Sequence, residues 1–161
     1  MLKLAGMALI AAAALGYGFW YGLSLRKELR RFEGFRRLIE TVRSRVSCFN
    51  QPLSAVYRDF SDEELDACGF TDLLRAGIPF SEALIRKRDV LGLREELFGL
   101  LSDLGRDLGR SYREDQVRLC ERFLTEADAR LAALRAEMPD RIRLARGLSA
   151  AAAAMTVLLL L

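Results

Sequence analysis

Charge stops abruptly at both ends of this chain. From Leu4 to Leu25 there is no Asp, Glu, Lys or Arg, and from Gly147 to Leu161 there is none either. Every acidic residue, and every basic residue except Lys3, lies between Arg26 and Arg146. A charge-rich middle between charge-free ends is the pattern of a membrane protein. Removing the ends leaves roughly 120 residues, enough for one small domain with one core.

The first apolar segment, Leu4 to Leu25, would reach ~33 Å as a helix, against a hydrocarbon thickness of about 30 Å. Tyr17, Phe19, Trp20 and Tyr21 cluster toward its far end, where an interfacial aromatic belt sits. Lys3 and the small residues Ala11 to Ala14 would also suit a cleaved signal peptide. The apolar run continues past that point, however, and meets Arg26, Lys27, Arg30 and Arg31, which read as a stop-transfer flank. The last segment, Gly147 to Leu161, reaches only ~22 Å. It can borrow Ile142, Leu144 and Ala145 while Arg143 and Arg146 snorkel to the interface. It has no polar face, which a buried amphipathic helix would need.

Both ends are therefore expected to be transmembrane helices. The stretch Arg26 to Arg45 holds eight basic residues against three Glu, and Arg141, Arg143 and Arg146 precede the second segment. The positive-inside rule then places the middle in the cytoplasm and both termini outside. The expected organisation is a short outer end (1–3), a transmembrane helix (4–25), a cytoplasmic helical bundle (26–146) and a C-terminal transmembrane helix (147–161). Gly18 and Gly22 form a GxxxG, and small residues recur from Gly147 to Ala154. Such faces allow close helix packing, either between the two spans or with a partner, including a second copy in a homo-oligomer.

The middle reads as all-α. No stretch sustains apolar/polar alternation, and there are only three prolines. Leu29, Phe32, Phe35, Ile39, Val42, Val46 and Phe49 recur at spacings of three and four, one apolar stripe ended by Asn50 and Pro52. A short helix is expected from Leu53 to Phe60. Ser61 to Glu64 reads as a capping box with Ser61 and Glu64 as reciprocal partners. The helix it opens should break at Gly69 and resume to Ala76, with Gly77 left-handed after it and Pro79 in the first turn of the next. Leu91 to Leu108 is another helical stretch, with Leu93, Leu97, Leu100, Leu101, Leu104 and Leu108 buried. Gly109 closes it, and Ser111 to Glu114 reads as a second capping box. The last helix carries the stripe Cys120, Phe123, Ala127, Leu131, Leu134, Met138 and Ile142, with a kink expected at Pro139.

Little in the composition supports chemistry. There is no histidine, which removes the commonest general base and metal ligand. Cys48, Cys68 and Cys120 form no metal spacing and are expected to be reduced core residues. No phosphate-cradling glycine loop is present. The net charge of +3 is too small to argue for nucleic acid. No catalytic residue, cofactor or metal is expected, and the chain is not expected to be an enzyme.

The stretch FTDLLRAGIPFSEALI, Phe70 to Ile85, resembles a repeated pattern of the inner-membrane platform protein F family of type II secretion and type IV pilus systems. The matching positions are Leu73, Leu74, Gly77, Pro79, Glu82, Ala83 and Leu84. Nearly the whole chain resembles a narrower family, stage III sporulation protein AB. The likeness runs through MLKLAGMALI, the Arg-rich LRKELRRFEGFRRLIETVRSRV, the Gln51–Leu53 turn, Leu108–Gly109, Asp115–Gln116 and the tail RLARGLSAAAAAMTVLLLL. The resemblance implies a protein F-like bundle in the mother-cell membrane around the forespore. It also implies a platform role in the complex linking the two cells, beside a secretion-type ATPase and other stage III sporulation membrane proteins. It transfers no catalytic residue. Exposed charge near the Gly77–Pro79 corner, at Arg75, Glu82, Arg86, Lys87 and Arg88, is the candidate contact for the motor. The alternative is a small membrane-anchored regulator or sensor that binds a cytoplasmic signalling protein.

Overall fold

The computed structural model describes the backbone of residues 2–49, 51–110 and 112–160. Side chains are described for these except 2–11, 14, 15, 17, 146, 153 and 156–160. Among the described residues eight helices follow one another: α1 (Leu2–Phe49), α2 (Leu53–Asp59), α3 (Glu63–Ala67), α4 (Phe70–Arg75), α5 (Phe80–Arg86), α6 (Arg88–Leu91), α7 (Glu95–Asp107) and α8 (Arg113–Leu160). No strand occurs among the described residues, so the all-α expectation holds. The chain divides into two compact units, Glu28–Ala132 and the pair Met1–Lys27 with Ala133–Leu161.

In Glu28–Ala132 the periodic stripes become the core. Phe32, Phe35, Ile39, Val42 and Val46 of α1 are buried, and Leu38 widens the arc they form. Cys120, Phe123, Ala127 and Leu131 of α8 are buried with Leu124. Phe32 meets Phe123 with ring centroids 6.4 Å apart, and Arg36 grips Asp128 at 2.5 and 3.3 Å, so α1 and α8 lie side by side here. Phe35 receives two further rings edge-on, Phe70 of α4 at 4.8 Å and Phe80 of α5 at 6.1 Å, and these two meet each other at 5.5 Å. Burying each such ring contributes about 1.5–3 kcal/mol, and edge-to-face pairing adds about 1 kcal/mol per pair.

The short helices differ from expectation in their ends. Asp62, not Ser61, caps α3: its carboxylate accepts the Leu65 amide at 3.2 Å, and Asp66 in turn accepts the Asp62 amide at 3.1 Å. The box is real but shifted by one residue. Aspartate caps as well as serine, and tertiary pairing breaks the tie. Arg37 of α1 engages Asp62 at 2.5 Å, and Arg30 draws Glu64 away at 2.6 Å. Leu91 belongs to α6 rather than to the next helix, because Gly92 takes a left-handed φ of 56° and α7 starts only at Glu95. Leu93 and Leu100 are half-buried rather than core. The buried Glu28 accepts the Arg94 amide at 2.9 Å and its Nε at 3.1 Å, so a carboxylate of α1 faces the N-terminus of α7.

The far end of α1 corrects two more expectations. Phe49 is 70% exposed and Cys48 is exposed, so the stripe ends at Val46 and only Cys68 and Cys120 are core thiols. Burial pushes the Cys120 thiol up to about 11, and Cys68 upward as well. Arg113 donates to the carbonyls of Val46 and Ser47, satisfying acceptors of the last turn of α1. Asn50 and Ser111, both expected at helix ends, lie outside the described residues.

In the unit of Met1–Lys27 and Ala133–Leu161, Gly18 and Gly22 are buried, and a Cβ on Gly22 would touch Ile142 at 3.8 Å. Helix α8 continues through Pro139. Much of the expected first span, and the end of the second, lies outside the described side chains. Among the described residues no helix is long and apolar enough to cross a membrane.

Close packing around Phe80 makes a stability prediction with an internal control. A Cβ on Gly105 would lie 2.8 Å from Phe80 Cδ1 and 3.3 Å from the Ser81 Cα, whereas one on Gly99 of the same helix meets nothing within 4 Å. Gly99→Ala should stabilise the chain by up to about 1 kcal/mol through helix propensity. Gly105→Ala should destabilise it by about 1–2 kcal/mol, overpacking outweighing the same gain. Urea unfolding followed by far-ultraviolet circular dichroism measures both; equal shifts would refute the packing account.

Candidate partner-contact surface

The Gly77–Pro79 corner is built by a complete left-handed helix stop. Gly77, at φ 82°, donates to the Leu74 carbonyl at 3.0 Å, and Ile78 donates to Leu73 at 3.0 Å. A Cβ on Gly77 would meet nothing within 4 Å, so the glycine answers to its φ alone. Pro79 sits at the cap of α5, one position before the first turn expected for it. Its fixed φ, here −55°, costs no amide at that point. The corner is held from below by Phe70 and Phe80, one on each side of the turn, both seated on Phe35.

The five charged residues expected to mark this surface divide into two groups. Arg75 is a structural tie: it donates to the Phe60 carbonyl at 2.8 Å, to Asp66 at 3.2 Å and to Asp72 at 3.0 Å. Arg88 lies 4.8 Å over the Phe98 ring and pairs with Glu95 at 2.6 Å. Lys87 is half-buried across Gly69, where an added Cβ would lie 2.9 Å from its Nζ. Glu82 and Arg86 remain, paired with each other at 2.5 Å one helical turn apart and both about half exposed. An exposed pair of this kind holds little energy and is easily exchanged for another partner.

Sequence reasoning missed the apolar part of the same surface. Ile85 is 68% exposed and Val90 is 51% exposed, flanking Arg86 and Lys87. Helical spacing carried the signal: Phe80, Ala83 and Leu84 fill the inward positions of α5, which leaves Ile85 outward. The surface is thus mixed, with two apolar side chains beside a Glu–Arg pair. Among the described residues, no group of three or more Cys, Asp or Glu side chains is placed to hold a metal ion.

Asp66 holds the other side of the corner together. It accepts from Ser61 at 2.5 Å, from Thr71, from the Asp62 amide and from Arg75. Burial alone would raise its carboxyl, but the hydrogen bonds from Ser61, Thr71 and the Asp62 amide, with the charge of Arg75, outweigh that and hold it below the usual range. A carboxyl lowered in the folded state stabilises above its unfolded value, near pH 4, and that contribution is lost as pH falls through the folded value. Asp66→Asn should therefore cost about 2 kcal/mol at pH 7. The gap between variant and parent should narrow below about pH 4 in a series of urea titrations. A gap independent of pH would show that the charge of Asp66 is immaterial.

The family model described as stage III sporulation protein AB matches residues 3–161. No curated protein and no solved structure matches the chain. The matched region includes both charge-free ends, both long helices and the corner between α4 and α5. The chain belongs to the stage III sporulation protein AB family and has a role in stage III of sporulation.

Proposed function

We propose that this chain is a non-catalytic platform of the stage III sporulation complex, set in the mother-cell membrane around the forespore. In this reading Leu4–Leu25 and Gly147–Leu161 are transmembrane helices, and the bundle works in the mother-cell cytoplasm with a secretion-type ATPase. The observation that carries the membrane part is exposed apolar surface where charge is missing. Phe19 and Trp20 are more than 60% exposed, and so are Leu148 and Met155 in the last segment. Apolar surface facing water costs about 25 cal/mol per Å², and lipid removes that cost. Family membership supports the sporulation setting.

The contact with the motor is assigned to Glu82, Ile85, Arg86 and Val90, with Lys87 at the edge. Apolar side chains supply contact area, and the exposed Glu–Arg pair supplies orientation and selectivity. The test is an affinity pull-down from sporulating cells using the full chain solubilised in mild detergent. Parent protein should recover the ATPase, and an Arg86→Glu/Lys87→Glu variant should recover at least about fivefold less, since reversed charges meet their former partners as like charges. Failure of the parent to recover any ATPase would end the platform reading. Equal recovery by the variant would remove this surface while leaving the platform.

A further inference from the structure

The positive charge of this protein is not spread over it. The unit of Met1–Lys27 and Ala133–Leu161 holds seven basic and two acidic residues, a surplus of five. Glu28–Ala132 holds eighteen basic and twenty acidic residues, a deficit of two. The net charge of +3 therefore comes from the unit whose two segments expose Phe19, Trp20, Leu23, Leu144, Leu148 and Met155.

Within that unit the charges sit at the edge of the apolar surface on both segments. On α1, exposed Phe19, Trp20 and Leu23 are followed within one turn by exposed Arg26 and Lys27. On α8, exposed Arg143 is followed directly by exposed Leu144 and, past Arg146, by exposed Leu148. The two edges are offset along the helix pair by less than two turns. Gly22 faces Ile142; Arg26 stands four residues beyond Gly22 and Arg143 one residue from Ile142 in the opposite direction, an axial offset of ~7.5 Å. Arginine and lysine side chains are long enough to bridge that offset. No ion pair among the described residues engages Arg26, Lys27 or Arg143. Of the two carboxylates in the unit, Glu137 is held by Arg141 at 2.9 Å, which leaves Asp140.

We infer that this unit selects anionic phospholipids, with Arg26, Lys27 and Arg143 forming a basic band that binds their headgroups while the adjoining apolar side chains meet the acyl chains. Three unneutralised cations at the margin of an apolar surface match the layering of an anionic leaflet, phosphate above hydrocarbon. Each basic residue near such a surface favours it by about fivefold. The inference rests on the proposed membrane placement of the two ends, and its test must separate the two.

Trp20 is the only tryptophan and lies in the apolar margin, two turns from Lys27. Its fluorescence therefore reports the lipids next to the basic band. The full chain is reconstituted in vesicles of equal parts phosphatidylglycerol and phosphatidylcholine, with bromine on the acyl chains of one lipid or the other. Brominated phosphatidylglycerol should quench Trp20 more strongly, with a relative affinity for the anionic lipid of at least about threefold. Raising the salt to 0.5 M should reduce that preference. The Arg26→Gln/Lys27→Gln/Arg143→Gln variant, altered only at exposed positions, should bring the ratio close to one. Equal quenching of the parent by both lipids would overturn the inference and leave the membrane placement standing. A preference unchanged in the variant would overturn the assignment to these three residues. Absence of quenching by either lipid would overturn the placement and the inference together.

Discussion

The bundle depends on one aromatic contact. Phe35, on the buried stripe of α1, takes Phe70 and Phe80 edge-on, and those two residues flank the Gly77–Pro79 corner. Helices of six and seven residues are too short to stand alone, because nucleation costs more than so few hydrogen bonds return. Their stability must come from packing, and the three rings supply it. The same contact fixes α7, since Phe80 leaves room for no side chain at Gly105. One residue of α1 thus determines where α4, α5 and α7 lie.

Polar ties complete what the rings begin. Asp62 and Asp66 each serve two purposes, closing the ends of short helices and binding arginines from elsewhere in the bundle, Arg37 and Arg75. Glu28 does the same at the start of α7 through Arg94. A buried carboxylate without partners would cost several kcal/mol, so the buried Asp62 and Glu28 have to be satisfied fully or not be there. The consequence for function is a selection among charges. Those that hold the bundle, such as Arg75 and Arg88, are not free to bind another protein, while Glu82 and Arg86 hold only each other.

The long stripes were legible in the sequence because α1 and α8 are many turns long and bury one face from Phe32 to Val46 and from Cys120 to Leu131. Phe32, Phe35, Ile39, Cys120, Phe123 and Ala127 are core, as their spacing implies. So was the corner, since few residues other than glycine adopt the φ that Gly77 needs and proline has no amide to lose at a helix start. The ends of short helices were less legible. Ser61 and Asp62 are both competent caps, and local chemistry cannot rank them when the deciding partner, Arg37, lies 25 residues away. The candidate contact surface was half legible: its charges were visible, but their occupation by Phe60, Asp66 and Phe98 was not, nor was the exposure of Ile85 and Val90.

By itself the sequence determined the all-helical class, the two long stripes, the corner and the separation of charge from apolar ends, because each follows from the periodicity or composition of neighbouring residues. Tertiary structure decided which aspartate caps α3, that Cys48 and Phe49 face outward, that Leu91 closes a helix of its own, and which arginines are spent inside the bundle. Those outcomes turn on partners distant along the chain, and a pairing energy between distant residues leaves no pattern in the local sequence.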